Sequence, residues 1–216
     1  MIESRAPWRD PALRSAFNAS ITLGLAIGVF GLSFGVGAVS AGASVAQACA
    51  MSLFVFTGAS QLSAVSVIGA GGSTASALGG ALVLAARTGV YALTMGRRVR
   101  GRFGTRLVAA QLTIDESTAM SLAQDDPVAQ RAAFWITGLT VYVFWNLSTL
   151  VGALIGSSID PVTFGLDAAF PAAYVAMVWP QLRSARGRRA ALVGSVLCLA
   201  LVPVLPVGVP ILCAAL

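Results

Sequence analysis

Polar side chains interrupt an otherwise apolar stretch at residues 54–63, which reads FVFTGASQLS. Helical spacing would place Thr57 and Gln61 on one face of a helix. Polar groups in hydrocarbon cost free energy unless they find partners, so these side chains either bond to neighbouring helices or line a hydrated path for a solute. The glycines on both sides favour the path, because an unwound segment exposes backbone groups that can hold the charged ends of a solute.

Arg87 is the only charged residue between positions 15 and 96. An arginine near the middle of a bilayer costs about 3 kcal/mol or more, so its side chain should face protein or water. Two interpretations stay open: the side chain extends to the interface, or its planar guanidinium binds a carboxylate. Tyr91, four residues further on, shares its helical face.

Acidic residues provide the other candidate charges. Asp115 and Glu116 are adjacent in an otherwise uncharged, helix-like run. They are either a solvated pair at the interface or cavity groups that bind an ammonium or carry a proton. Asp167, in TFGLDAAFPA, is a third candidate for that role, or a carboxylate that caps a helix start.

A possible nucleophile is excluded. Residues 31–35, GLSFG, match the G-x-S-x-G pattern of hydrolases, but the chain has no histidine and no lysine to activate Ser33. We therefore expect no enzymatic activity. The glycines instead recur at helical intervals that allow another helix to pack closely. These are Gly24, Gly28, Gly31 and Gly35, with a similar pair at Gly152 and Gly156.

The composition places these residues in a membrane protein. Of 216 residues, 57% are hydrophobic and only 10% are charged, far from the quarter expected of a soluble domain. The net charge of +6 comes with arginines beside apolar runs, which indicates membrane topology and not nucleic acid binding. Three scattered cysteines predict neither a metal site nor a disulfide, and we expect no cofactor.

Apolar runs predict an all-α, polytopic helical bundle with about five to six spans, forming one transport domain over residues 1–216. We expect spans or membrane segments at residues 17–38, 45–68, 75–95, 132–159, 166–182 and 190–216. Residues 107–127 are helical in pattern but too polar to span alone. Prolines at 203, 206 and 210 predict that the second half of the last run is irregular.

Arginine clusters at residues 97–106 and 183–189 predict cytoplasmic loops, and the N-terminal tail also has a cytoplasmic pattern. Three full crossings cannot join two cytoplasmic ends. We therefore expect the second segment, residues 45–68, to be broken or re-entrant. The alternative is an extracellular N-terminus with three true crossings.

Several motifs together resemble the AzlC family, the large subunit of branched-chain amino acid exporters. They follow the family's order over nearly the whole chain: the glycine spacing at 31–37, MSLFVFTGASQ at 51–61, Arg87 with Tyr91, LTIDES at 112–117, YVFWNLSTLVGALIG at 142–156 and FGLDAAFPA at 164–172. In the family the third stretch reads N-x-R-H-x-x-Y. This chain has Ala85 and Thr88 in place of the asparagine and histidine, so the side chain that titrates most readily near neutral pH is absent there.

The resemblance implies export of valine, leucine, isoleucine or methionine across the bacterial inner membrane, with a small hydrophobic subunit of the AzlD type. We expect coupling to protons and no nucleic acid partner. The carboxylate would be held by Arg87 and by the unwound region around Gly58, Ala59, Ser60 and Gln61. Thr57 would be a further substrate-binding residue. Asp115, Glu116 or Asp167 would serve the ammonium or the proton. Phe54, Tyr91 and Trp145 would shape the side-chain pocket.

Two other functional classes stay open on the sequence. A passive channel for a small solute would use the same glycines and polar residues to line its path. A membrane scaffold would use the glycine stripes only to bind partners, and substitutions at Arg87 or Gln61 would then leave solute flux unchanged.

Overall fold

The computed structural model describes residues 11–158 and 178–215, together with Ala172 and Val175. These residues are helical and contain no strand, which confirms the predicted all-α class. The helices are α1 (Pro11–Ser40), α2 (Val45–Phe54), α3 (Ala59–Gly69), α4 (Thr74–Gly96), α5 (Phe103–Gln111), α6 (Asp115–Leu122), α7 (Pro127–Ser158), α8 (Ala185–Leu201) and α9 (Val209–Ala215), with a 3-10 turn at Gln181–Arg183.

Three of the described helices are long and apolar enough to cross a membrane: Arg14–Ser40 within α1, Thr74–Gly96 and Pro127–Ser158. α2 and α3 are apolar but shorter. This arrangement confirms a polytopic helical membrane protein. The total of five to six spans stays a prediction, as does the side on which the N-terminus lies.

α1 and α7 form the tightest helix pair, and glycines make the approach possible. A Cβ atom added at Gly31 would lie 2.8 Å from the carbonyl oxygen of Trp145. At Gly35 it would collide with the backbone of Thr149, and at Gly152 with the backbone of Leu32. The predicted glycine packing face is therefore confirmed, since these contacts join backbone to backbone.

The second apolar segment is broken, as predicted. α2 ends at Phe54 and α3 begins at Ala59, so residues 55–58 form a non-helical link. The predicted position of the unwound region was wrong, because Ala59, Ser60 and Gln61 form the first turn of α3. α2 begins with a capping box in which the Ser44 hydroxyl accepts from the N–H of Gln47, and the Gln47 side chain accepts from the N–H of Ser44. Whether this segment re-enters or crosses the membrane stays a prediction.

The helical pattern predicted for residues 107–127 does not form one continuous helix. α5 and α6 are separate helices, and residues 112–114 between them are not helical. Ser117 stabilises this break, because its hydroxyl accepts from the N–H of Ile114 at 3.1 Å and donates to the carbonyl of Leu112 at 2.6 Å. The run contains no glycine, and its one proline, Pro127, is its last residue, so no residue near positions 112–114 signals a break.

The C-terminal part agrees with its proline pattern. α8 ends at Leu201, and a non-helical stretch that contains Pro203 and Pro206 precedes α9. The cluster predicted as a loop at residues 183–189 is largely the first two turns of α8. Asp167 and most of the segment predicted at residues 166–182 lie outside the described residues.

Candidate substrate-binding cavity

A cavity of about 100 Å³ lies between α1, α3, α4, α6 and α7, beside both helix breaks. Its lining combines a polar floor with apolar walls. The polar or backbone-exposing members are Thr57, Gly58, Ala59, Arg87, Thr88, Asp115 and Glu116. The apolar members are Ile27, Phe30, Phe56, Leu62, Ile114, Val141 and Trp145.

The side chain of Gln61 holds the break between α2 and α3 together. Its oxygen accepts from the N–H groups of Thr57 at 3.3 Å and Gly58 at 3.1 Å, and its nitrogen donates to the carbonyl of Met51 at 3.1 Å. Gln61 is fully buried. Because these bonds are internal, Gln61 fixes the shape of the break, and it is not among the residues that line the cavity.

Gly58 sets the direction of the chain at the start of α3. Its φ is +63° and its ψ is −93°, a conformation that residues with a side chain rarely adopt. A Cβ atom added there would meet nothing within 4 Å, so the backbone of Gly58 borders open space.

The first turn of α3 keeps free backbone donors. The N–H groups of Ala59 and Ser60 donate to none of the described residues, as expected at the start of a helix. This turn contains no acidic residue. The partial positive charge of the helix N-terminus is therefore not compensated within α3.

Arg87 and Asp115 form an ion pair across the cavity. Nη1 of Arg87 lies 2.5 Å from Oδ2 of Asp115, and the two side chains are 40% and 39% exposed. It is the only ion pair among the residues that the structure describes. Since both groups line the cavity and are partly accessible, a solute with charged ends can reach them.

Glu116 adds a second carboxyl group to the cavity. It follows Asp115 in the first turn of α6, where acidic groups are favoured by the helix dipole. Its side chain bonds to no other described residue, whereas that of Asp115 is held by Arg87. The lining therefore carries one cation and two acids, and one acid remains without a cationic partner among the described residues.

Trp145 forms much of the apolar wall. It is 3% exposed and stacks on Phe34 with ring centroids 5.9 Å apart. Its indole nitrogen is buried and has no acceptor among the described residues. Phe56 packs edge-on against Tyr142 with ring centroids 5.0 Å apart. Of these rings, Trp145 and Phe56 line the cavity, and together with Phe30 and Val141 they form a wall suited to a small apolar side chain.

The predicted site residues divide between the cavity and its surroundings. Thr57, Gly58, Ala59, Arg87, Asp115, Glu116 and Trp145 line the cavity. Ser60 is buried behind the lining, where its hydroxyl contacts that of Thr57. Phe54 is 79% exposed and Tyr91 lies on α4 outside the lining. Asp167 lies outside the described residues.

Sequence reasoning missed most of the apolar walls and the ion pair. Phe30 and Val141 look like any other apolar residue in an apolar run, so no pattern marks them. The pairing of Arg87 with Asp115 did have a signal, because a charge inside a membrane protein needs an opposite charge nearby. Among the described side chains, no group of three His, Cys, Asp or Glu residues could hold a metal ion.

Comparisons with known proteins identify relatives over most of the chain. Two membrane proteins from Helicobacter pylori, strains 26695 and J99, are 28% and 27% identical over 195 residues, covering 88% of this chain and 86% of each relative. The branched-chain amino acid transport protein AzlC of Bacillus subtilis is 24% identical over 185 residues, covering 85% of this chain and 73% of that protein. No solved structure matches.

A family model described as AzlC protein matches residues 22–159. This region contains all the residues that line the cavity. The chain therefore belongs to the AzlC family.

Proposed function

We propose that this protein exports a neutral, apolar amino acid, namely valine, leucine, isoleucine or methionine, and that it does so by alternating access. The observation that carries the proposal is the cavity, whose lining combines an ion pair and the first residue of α3 with aromatic and aliphatic side chains. The similarity of this chain to a protein named for branched-chain amino acid transport supports this substrate class. The function is transport and not catalysis.

The carboxylate of the amino acid binds Arg87 and the first turn of α3. A guanidinium binds a carboxylate through two parallel hydrogen bonds, and uncompensated N–H groups at a helix start attract an anion. Ala59 and Arg87 both line the cavity. The substrate carboxylate thus takes the place of Asp115 on Arg87.

The ammonium group binds Asp115, which Arg87 releases in the same exchange. This swap replaces one ion pair by two, so that neither Arg87 nor Asp115 is left without an opposite charge. Glu116, the acid without a described cationic partner, carries the coupling proton. Gain or loss of that proton changes the charge of the cavity by one and so links proton movement to substrate release.

A small hydrophobic subunit of the AzlD type completes the exporter in the bacterial inner membrane. α4 and α8 support this part of the proposal, because both expose large apolar side chains along their lengths. Leu82 and Leu93 on α4 are 69% and 76% exposed, and Leu192 on α8 is 66% exposed. Such faces pack against lipid or against another membrane subunit.

Efflux of amino acids tests the proposal. Cells are loaded with dipeptides of valine, leucine, isoleucine or methionine, and release is followed with this chain alone, with an AzlD-type subunit, and with Arg87→Ala. Arg186→Ala is the matched control, because Arg186 is exposed at the start of α8, away from the cavity. We expect release that depends on the subunit, survives in the control and is lost in Arg87→Ala. Unchanged release of all four amino acids, with both proteins present in the membrane, would refute it.

Counterflow separates a carrier from a channel. Vesicles preloaded with unlabelled leucine should accumulate labelled leucine above its equilibrium level, because a carrier returns loaded. A channel conducts only downhill, so the absence of this overshoot in vesicles that still release leucine would replace the exporter by the passive channel.

A further inference from the structure

A second cavity, of about 190 Å³, lies between the end of α4 and α5. We name it the α4–α5 cavity. Its lining combines mostly small side chains with one methionine and one arginine: Ala92, Met95, Gly96, Val99, Arg106, Ala109, Ala110 and Thr113. None of these residues belongs to the lining of the substrate-binding cavity.

The two cavities are lined by neighbouring residues of α4 and of the α5–α6 break. On α4, Thr88 lines the first cavity and Ala92 the second, one helical turn apart and on the same face. At the α5–α6 break, Ile114 lines the first and Thr113 the second. A helix rises about 6 Å over four residues, so only one turn of protein separates the two spaces.

Most residues that line the α4–α5 cavity have small side chains, and the long ones are Met95 and Arg106. A Cβ atom added at Gly96 would meet nothing within 4 Å. The Thr113 hydroxyl is turned to the carbonyl of Ala109, to which it donates at 2.7 Å. The space is therefore wide enough for the branched side chain of a small amino acid.

Arg106 gives this cavity a positive charge. It ends the basic segment at residues 97–106, which contains five arginines and no acid. Arg106 is exposed and makes no ion pair with a described residue. A concave space lined by one sign of charge raises the local concentration of ions of the opposite sign, here the carboxylate end of an amino acid.

We propose that the α4–α5 cavity is the cytoplasmic vestibule of the exporter, where a neutral amino acid first binds with its carboxylate on Arg106. From there it moves one helical turn along α4 to Arg87. This inference rests on the proposed function, and on the basic segment as the cytoplasmic end of α4.

Blocking the vestibule tests the route. Ala110→Trp fills the cavity, whereas Val108→Trp places the same ring on the opposite face of α5, at a residue that is 49% exposed. We expect Ala110→Trp to abolish leucine efflux and Val108→Trp to leave it near the wild-type rate. Equal rates in the two variants, at equal amounts in the membrane, would overturn the proposal.

Labelling tests the same cavity without requiring transport. It therefore gives a result even if Ala110→Trp folds poorly or the wild type does not export leucine. Cys49, Cys198 and Cys213 are first replaced by serine, and Ala110→Cys is treated with a charged, membrane-impermeant methanethiosulfonate. Reaction should be at least about tenfold faster in inside-out than in right-side-out vesicles. Reaction from the outer side alone, or from neither, would overturn the vestibule. Absence of efflux with the wild type, beside fast inner-side labelling, would refute the proposed function only.

Arg106 itself is tested by Arg106→Gln and Arg106→Lys. A first contact for the carboxylate contributes to capture, so Arg106→Gln should raise the KM for leucine about fivefold with little change in kcat, since one charge pair is lost. Arg106→Lys should have a KM close to that of the wild type, because lysine keeps the positive charge. A loss of kcat at constant KM would assign Arg106 a structural role and overturn this part.

Discussion

The break between α2 and α3 and the break between α5 and α6 are closed in the same way. In each, the third residue of the following helix bonds back to the residue before that helix. Gln61 accepts from the N–H of Gly58, and Ser117 accepts from the N–H of Ile114. Both side chains are fully buried. Both breaks therefore present a helix N-terminus to the same cavity.

The two N-termini differ in charge and in backbone conformation. α6 begins with Asp115 and Glu116, whereas the first turn of α3 has no acid. Ile114 is extended, with φ −129°, whereas Gly58 has φ +63°. One N-terminus is thus neutralised by its own carboxylates and the other is open to an anion. One cavity can therefore offer an acidic N-terminus to the ammonium end of a zwitterion and an uncompensated N-terminus to its carboxylate end.

Removing Arg87 should have the largest effect on transport, because Arg87 is the only cation in the cavity lining. Arg87→Ala removes the carboxylate partner and leaves Asp115 without its cation, so we expect leucine counterflow to fall about a hundredfold or more. Arg87→Ala combined with Asp115→Ala relieves the lone charge, and should restore protein stability but not transport. Restored transport in the double variant would mean that the ion pair only stabilises the fold.

Replacing Gln61 and Ser117, one at a time, shows which of the two breaks contributes more to the free energy of unfolding. Gln61→Ala leaves two N–H groups and one carbonyl unpaired. Ser117→Ala leaves one N–H group unpaired, together with two carbonyls that share a single hydroxyl proton. We expect Gln61→Ala to lower the free energy of unfolding by about 3 kcal/mol and Ser117→Ala by about half as much. Thermal unfolding of the purified protein, with hydrogen exchange at residues 57–61, measures this. The reverse order would contradict the roles given to the two residues.

Gly58→Ala tests whether conformation alone matters at the open N-terminus. The new methyl group meets free space, so the expected loss of about 1–3 kcal/mol comes only from the backbone. Gly89→Ala is the matched control, since Gly89 lies within α4 and its Cβ also meets nothing within 4 Å. In a helix that change is neutral or stabilising. Equal unfolding temperatures for the two variants would contradict the strain at Gly58.

Glu116→Gln, at the acidic N-terminus of α6, should have the smallest effect on transport, because it removes a charge but no described bond. We expect efflux driven by a proton gradient to fall about tenfold, while exchange of leucine for leucine in the absence of a gradient is unchanged. Asp115→Asn should instead lose exchange, because it loses the ammonium partner. Vesicles with an imposed pH difference measure both. Gradient-driven efflux that persists in Glu116→Gln would assign the proton to another group.

The positions of the helices could largely be predicted, because long uncharged runs allow few alternatives in lipid. The α2–α3 break was also predictable, since glycine and small polar residues meet there. The α5–α6 break was not, because it depends on Ser117, a residue whose type is ordinary within a helix. Local propensity says little where one buried hydroxyl decides the conformation.

The candidate site was predictable in its charged members and not in its walls. Arg87, Asp115 and Glu116 stand out because charges are rare in this chain. Phe54 and Phe56 are two residues apart in one stretch, yet one is 79% exposed and the other 5%. The direction of the chain after α2 decides between them, and periodicity cannot supply that direction across a non-helical link.

The glycine contacts between α1 and α7 also limit how the protein can move. With the backbone of Gly35 against Thr149 and that of Gly152 against Leu32, the two helices cannot slide past one another and act as one rigid body. Phe30, on α1, and Trp145, on α7, therefore form a stationary wall of the cavity. In the proposed alternating-access cycle, opening to one side or the other would then fall to α3, α4 and α6, and the charged groups would move while the apolar wall stays in place.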